Sequence, residues 1–188
     1  MAEPPVLQPA SGRLLVSTPL LTDPNFTRTV IYLLEHDGGG TVGVVANRPS
    51  RTPVGQVLPD WHDAISEPPV VFAGGPVQPD GALCLGRLRG PARSAARQIV
   101  DEVATIDLDG DVGDAAAATS RLRVFAGHAG WAPGQLEREL LERAWWVLPG
   151  TPADLFDEAP RSLWARVLRR QGAPLNIFST FPADPLLN

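Results

Sequence analysis

Val30-Ile31-Tyr32-Leu33-Leu34-Glu35-His36-Asp37-Gly38-Gly39-Gly40-Thr41-Val42-Gly43-Val44-Val45-Ala46-Asn47-Arg48-Pro49 holds two apolar, β-branched runs on either side of a glycine-rich break. Val30 to Leu34 and Val42 to Ala46 read as strands. Asp37 to Gly40 supplies the positive-φ positions that a hairpin loop requires. Pro49 is expected to end the second strand, because proline cannot donate to a ladder.

Working outward, Leu14 to Ser17 reads as a short strand and Thr22-Asp23-Pro24-Asn25 as a turn. Residues 1–11 are proline-rich and expected to be flexible. Val54 to Leu58 suggests a helical turn. Val70 to Ala73 reads as a strand running into Gly74-Gly75-Pro76, with Ala82 to Leu85 pairing near it. Ala92 to Ile99 is alanine-rich and expected to be helical. Val103 to Leu108 is expected to be a strand, Asp114 to Thr119 a short helix, and Leu122 to Ala126 a strand ending at Gly127. Pro133-Gly134 opens a helix with Leu136, Leu140, Leu141 and Ala144 on one face. Trp145 to Leu148 reads as a strand and Ala153 to Phe156 as a helical turn. Arg161 to Arg170 is a second amphipathic helix, with Leu163, Trp164, Val167 and Leu168 inward and Gly172 placed to stop it. Strands outnumber helices without βαβ alternation, so the class is α+β. No linker divides the chain, which reads as one domain over 1–188.

Composition narrows the function. With 188 residues, the chain can bury roughly 70% of the surface it exposes unfolded. A net charge of -5 argues against a sequence-independent grip on nucleic acid, which depends on basic surface. Every basic residue apart from histidine is arginine. Without lysine there is no Schiff-base amine and no Gly-Lys-Ser/Thr phosphate loop. Cys84 is the only cysteine, so no intrachain disulfide forms, which suits a reducing compartment. The start lacks a basic, then apolar, leader, and no run of about 20 apolar residues is present.

Few motifs point to chemistry. Gly38-Gly39-Gly40-Thr41-Val42-Gly43 fits G-x-G-x-x-G, but a strand follows it where a dinucleotide site needs a helix. Asp107-Leu108-Asp109-Gly110-Asp111 resembles the front of a calcium loop, yet Val112 occupies the position that requires glycine. The histidines, His36, His62 and His128, lie in separate segments without metal-ligand spacing, so no metal or other cofactor is expected. His36 and Glu35 are candidates for general acid–base work, or simply a polar hairpin end. Arg48 offers a planar fork for carboxylate or phosphate beside Asn47, or caps backbone carbonyls. Gly74 and Gly75 mark a close approach of the backbone to a ligand or to another strand. Trp131 could stack on a ligand or fill the core. Gln135 could contact a ligand or cap the Gly127-to-Gly134 loop.

These same segments resemble the bacterial YqgE/AlgH proteins along nearly the whole chain. The likeness runs through Thr18-Pro19-Leu20, Asp23-Pro24-Asn25-Phe26, Glu35-His36-Asp37, Asn47-Arg48-Pro49, Gly74-Gly75-Pro76-Val77, Gly127 to Glu137, and the ending from Phe178 to Asn188. His128 stands where many relatives have tyrosine, and Cys84 where many have aliphatic residues. The resemblance implies a barrel-like, mostly antiparallel sheet surrounded by helices, in the bacterial cytosol. It supplies no reaction. The regulator label carried by some members rests on effects on gene expression, and this chain shows no helix-turn-helix.

Three functions follow for testing. The leading one is a non-enzymatic binding or regulatory protein whose glycine segments meet around a groove for a small anion, a peptide carboxylate or a protein partner. The second is a hydrolase or transferase using Glu35 or His36. The third, direct binding to DNA, runs against the charge and the missing recognition helix.

Overall fold

The hairpin is the middle of a ten-stranded sheet. A computed structural model describes residues 7–92 and 96–181. The strands are β1 (Leu14–Ser17), β2 (Val30–Asp37), β3 (Gly40–Val45), β4 (Pro49–Pro53), β5 (Val70–Ala73), β6 (Val77–Leu88), β7 (Ala96–Val100), β8 (Val103–Ile106), β9 (Thr119–Trp131) and β10 (Trp145–Leu148). The helices are α1 (Val54–Val57), α2 (Val112–Ala118), α3 (Gln135–Leu141), α4 (Pro152–Leu155), α5 (Leu163–Arg170) and α6 (Leu175–Phe178). The sheet runs β10-β1-β2-β3-β9-β6-β8-β7, with β4 and β5 beside it, and β7 curls back towards β2. Every pairing is antiparallel except β5 with β9. The result is the barrel-like α+β fold, a half-barrel flanked by helices.

Alternation along the strands sorts side chains onto two faces. The inner face carries Val16, Tyr32, Val44, Leu85, Val103 and Phe125, and the α5 residues Trp164, Val167 and Leu168 close over it. The outer face is covered in two places. Over β1 to β3, Leu15, Ile31 and Val45 meet Leu136 of α3 and the rings of Trp131 and Trp145. Over β6, β8 and β9, Cys84, Ile106 and Leu122 meet Val54 of α1, Trp61 and Ala115 of α2.

Several expectations change. Residues 96–100 form a strand, not a helix, because β7 pairs with β8 around a tight turn at Asp101, whose φ is 48°. Edge pairing there overrides the helix preference of alanine. Residues 93–95 of that expected helix lie outside the described residues. β9 does not stop at Gly127 but continues to Trp131. Pro49 begins β4, as a first strand residue whose missing N–H costs nothing. The Ala82-to-Leu85 run belongs to the longer β6, which pairs with β8 and β9, while β5 pairs with β4 and β9. Leu141 is 85% exposed, since it lies about 140° around α3 from the buried Leu136. In α5 the four expected inward residues are all buried, and Gly172 at φ +75° ends the helical run.

Candidate functional site

The glycine segments meet at one crossing of the chain. The Gly74 N–H donates to the Ala126 carbonyl at 2.8 Å, and the Val45 N–H donates to the Gly74 carbonyl at 2.9 Å, so this residue bridges β3 and β9. A Cβ on Gly74 would overlap the Gly127 carbonyl oxygen, and one on Gly75 would overlap the peptide of His128. The glycines of this crossing therefore serve contact between backbones.

Beside the crossing, two irregularities open a cleft at the mouth of the half-barrel. The first lies in β2. Leu33 opposes Gly43 and Glu35 opposes Val42, so the ladder slips by one residue at Leu34. Without that β-bulge, Glu35 would follow Ile31 and Leu33 onto the outer face. With it, Leu34 and Glu35 both turn inward, as bulges re-aim side chains. The second lies in β6. Val77 opposes His128 and Ala82 opposes Ala126, so residues 78–81 face Gly127 alone. Gln78 sits there at φ 48°, a left-handed conformation uncommon outside glycine.

The cleft between these features has a volume of about 530 Å³. One wall is Leu34, Glu35 and Val42; another is Gln78, Leu83 and His128; the third is Arg97, Ile99 and Thr105. Arg97 opposes Thr105, two residues beyond the inward Val103, which places it on the inner face. Among the described residues, neither Glu35 nor Arg97 has an ion-pair partner. The walls thus present one carboxylate, one guanidinium, other hydrogen-bonding side chains and apolar residues.

The other sequence candidates do not line this cleft. Asn47 accepts from the Val30 N–H at 2.8 Å and donates to the Arg28 carbonyl at 2.9 Å, tying the start of β2 to the end of β3. Arg48 donates to the carbonyls of Pro24 and Thr27 at 3.1 and 3.3 Å. Burial lowers its pKa, and Asp23 opposes that shift. His36 lies on the outer face, opposite Thr41, with Nδ1 2.7 Å from the Thr41 hydroxyl and Nε2 3.7 Å from Glu137. Glu35 and His36, though adjacent, therefore face opposite sides of the sheet. Trp131 and Gln135 are also on the outer side. Glu139 accepts from the indole N–H of Trp131 at 2.9 Å, from that of Trp145 at 2.8 Å and from Gln135 Nε2 at 3.0 Å. Gln135 in turn accepts from the Ala132 N–H, capping the loop before α3.

Sequence reasoning missed Arg97, Thr105, Gln78 and Glu139. Arg97 was hidden by the helical reading of its segment. Asp101-Glu102 between the β-branched runs Ile99-Val100 and Val103 to Ile106 is a weak turn signal, since the pair lacks the glycine or asparagine usual in a two-residue hairpin loop.

The AlgH-like family model (DUF179) matches residues 14–176. The chain belongs to the AlgH-like family. It is 47% identical over 183 residues to a UPF0301 protein of Streptomyces coelicolor, covering 95% of each chain. A UPF0301 protein of Thermobifida fusca is 46% identical, again with 95% of each chain covered. Among solved structures, a crystal structure of a Corynebacterium diphtheriae protein superposes with a TM-score of 0.87 at 31% identity, covering 94% of each chain. The solution structure of the AlgH protein from Pseudomonas aeruginosa gives 0.69 at 32% identity, covering 97% of each chain.

In this AlgH-like chain Cys84, Arg123 and Asp111 are built into the fold. Cys84 is buried on the outer face, and burial pushes its thiol up to about 12, far from the thiolate that redox or nucleophilic work needs. Arg123 is fully buried in β9. It donates to the carbonyls of Leu155 and Glu67 at 2.8 Å each and of Asp157 at 3.1 Å, and its guanidinium stacks 4.2 Å from the Phe72 ring centroid. Burial lowers its pKa to about 10, against the opposing pull of Asp157 and Glu158. Asp111 caps α2 by accepting from the Asp114 N–H at 2.9 Å, so the acidic 107–111 segment ends in a helix start. No helix among the described residues is long and apolar enough to cross a membrane.

Proposed function

We propose that this AlgH-like chain is a non-enzymatic cytosolic binding protein that holds a small anion or a peptide carboxylate in the cleft at the mouth of the half-barrel. One observation carries the reading: Arg97 lines a cavity of ligand size while forming no ion pair among the described residues. A guanidinium facing such a cleft suits bidentate recognition of a carboxylate or phosphate. Arg48, the arginine favoured by sequence, already donates to two backbone carbonyls and leaves less of its fork to a ligand. Any regulatory effect would follow from ligand binding. DNA has no part in the proposal, because the net charge is -5 and no recognition helix is present among the described residues.

A thermal-shift screen with carboxylates, inorganic phosphate and short peptides tests this. A ligand at about 100 times its Kd stabilises the folded state by roughly 2.7 kcal/mol. The expected result is a rise in Tm with at least one anion, lost in Arg97→Gln and kept in Arg48→Gln. No shift with any anion, or the same shift in Arg97→Gln, would overturn the reading.

A further inference from the structure

We infer that the cleft takes a dipolar ligand, a free amino acid or short unblocked peptide, with its carboxylate at Arg97 and its ammonium at Glu35. This rests on the cleft reading above and goes beyond it by giving the second charge of the ligand.

The two charges come from strands at the two sides of the opening. Sheet order places β7 at one end of the ladder and curls it back towards β2. Glu35 belongs to β2 and Arg97 to β7, and both line the same cavity. Glu35 reaches the inner face only through the slip at Leu34, and Arg97 reaches it by simple alternation from β8. Neither has an ion-pair partner among the described residues.

A cleft whose walls carry one cation and one anion, each without an ion-pair partner among the described residues, selects against ligands of a single charge. A simple carboxylate satisfies the guanidinium but meets repulsion at the second carboxylate. A simple amine has the converse difficulty. A zwitterion meets both, and its neutral sum removes the long-range penalty. Charge arrangement of this kind sets specificity more than raw affinity. Thr105, Gln78 and His128 offer hydrogen-bonding side chains, and Leu34, Leu83 and Ile99 add apolar lining for aliphatic side chains.

Calorimetric titration with alanine, dialanine and trialanine tests the inference, each peptide offered free, N-acetylated and C-amidated. The wild type is expected to bind at least one free form at least ten times more tightly than either blocked form. In Glu35→Gln the free and acetylated forms should bind alike, and in Arg97→Gln the free and amidated forms should bind alike. Both side chains are exposed, and an unchanged Tm without ligand verifies that the variants fold. If the acetylated form binds the wild type as tightly as the free form, and Arg97→Gln weakens both, the dipolar inference fails while the anion reading stands. If no form binds but inorganic phosphate does, the outcome is the same. If nothing binds, both fall.

Discussion

Gly127 and Gly75 meet backbone to backbone: a Cβ on Gly127 would lie 2.5 Å from the Gly75 carbonyl oxygen. Gly127 also has φ +68°, which adds strain to any side chain placed there. Gly127→Ala is expected to cost at least about 2 kcal/mol in urea unfolding, combining left-handed strain with overpacking. Gly38→Ala, where a Cβ meets nothing within 4 Å, serves as the control and should stay within about 0.5 kcal/mol.

How far the sequence could be read follows from how local each signal was. The β2–β3 hairpin and α5 announce themselves, since Gly38 to Gly40 and the Leu163, Trp164, Val167, Leu168 spacing speak for their own segments. The meeting of Gly74, Gly75 and Gly127 was legible as a close approach, but the identity of the neighbour was not, because a strand and a ligand demand the same bare backbone. The cleft was the least legible part. Glu35 enters it through a one-residue slip at Leu34 that depends on β3, and no periodicity within β2 reveals it. Arg97 was lost because alanines around it favour helix in isolation, whereas β8 supplies the ladder that makes a strand. Glu139 carried no local signal, because its indole donors come from Trp131 and Trp145, on two different strands.

Glu139 holds the outer aromatic cluster together. Trp131 and Trp145 meet edge-to-face, with centroids 5.9 Å apart, while both indole N–H groups converge on one Glu139 oxygen. Glu139→Leu leaves two part-buried indole donors without this acceptor and should cost about 2 to 6 kcal/mol, since each unpaired donor costs roughly 1 to 3 kcal/mol, with partial solvation favouring the low end. Trp131→Ala should cost about 3 to 5 kcal/mol by removing a buried ring. If the residues act as one unit, the double variant falls short of the sum, which a double-mutant cycle by chemical denaturation would reveal.

Arg123 fastens the helical layer to the sheet. Its three carbonyl partners come from the loop at Glu67 and from Leu155 and Asp157 around the end of α4. Arg123→Met keeps much of the volume over Phe72 but leaves those three carbonyls without this donor. A loss above about 3 kcal/mol is expected by urea unfolding, because hydrogen bonds to a charged group carry about 1.5 to 3 kcal/mol each. Faster hydrogen exchange in 152–170 than in β2 and β3 would locate the damage. A variant as stable as the wild type would show that Met packing compensates for the lost donors.

Cys84 gives the fold a dependence on alkaline pH whose sign is fixed by burial. The thiol has an ordinary value of 9.0 and is pushed up to about 12 in the folded chain. Above pH 9 the unfolded chain gives up this proton while the folded chain keeps it, so the folded state binds more protons and stability falls as pH rises. The contribution is fully present below pH 9 and is lost progressively from there towards pH 12. Cys84→Ala removes the titrating group, so its stability should decline less steeply over pH 9 to 11 in urea titrations. At pH 8 the native thiol should resist a disulfide reagent such as DTNB and react once the chain is unfolded. Rapid reaction in the native state would show that the cover formed by Val54, Trp61 and Ile65 opens far more readily than their burial implies.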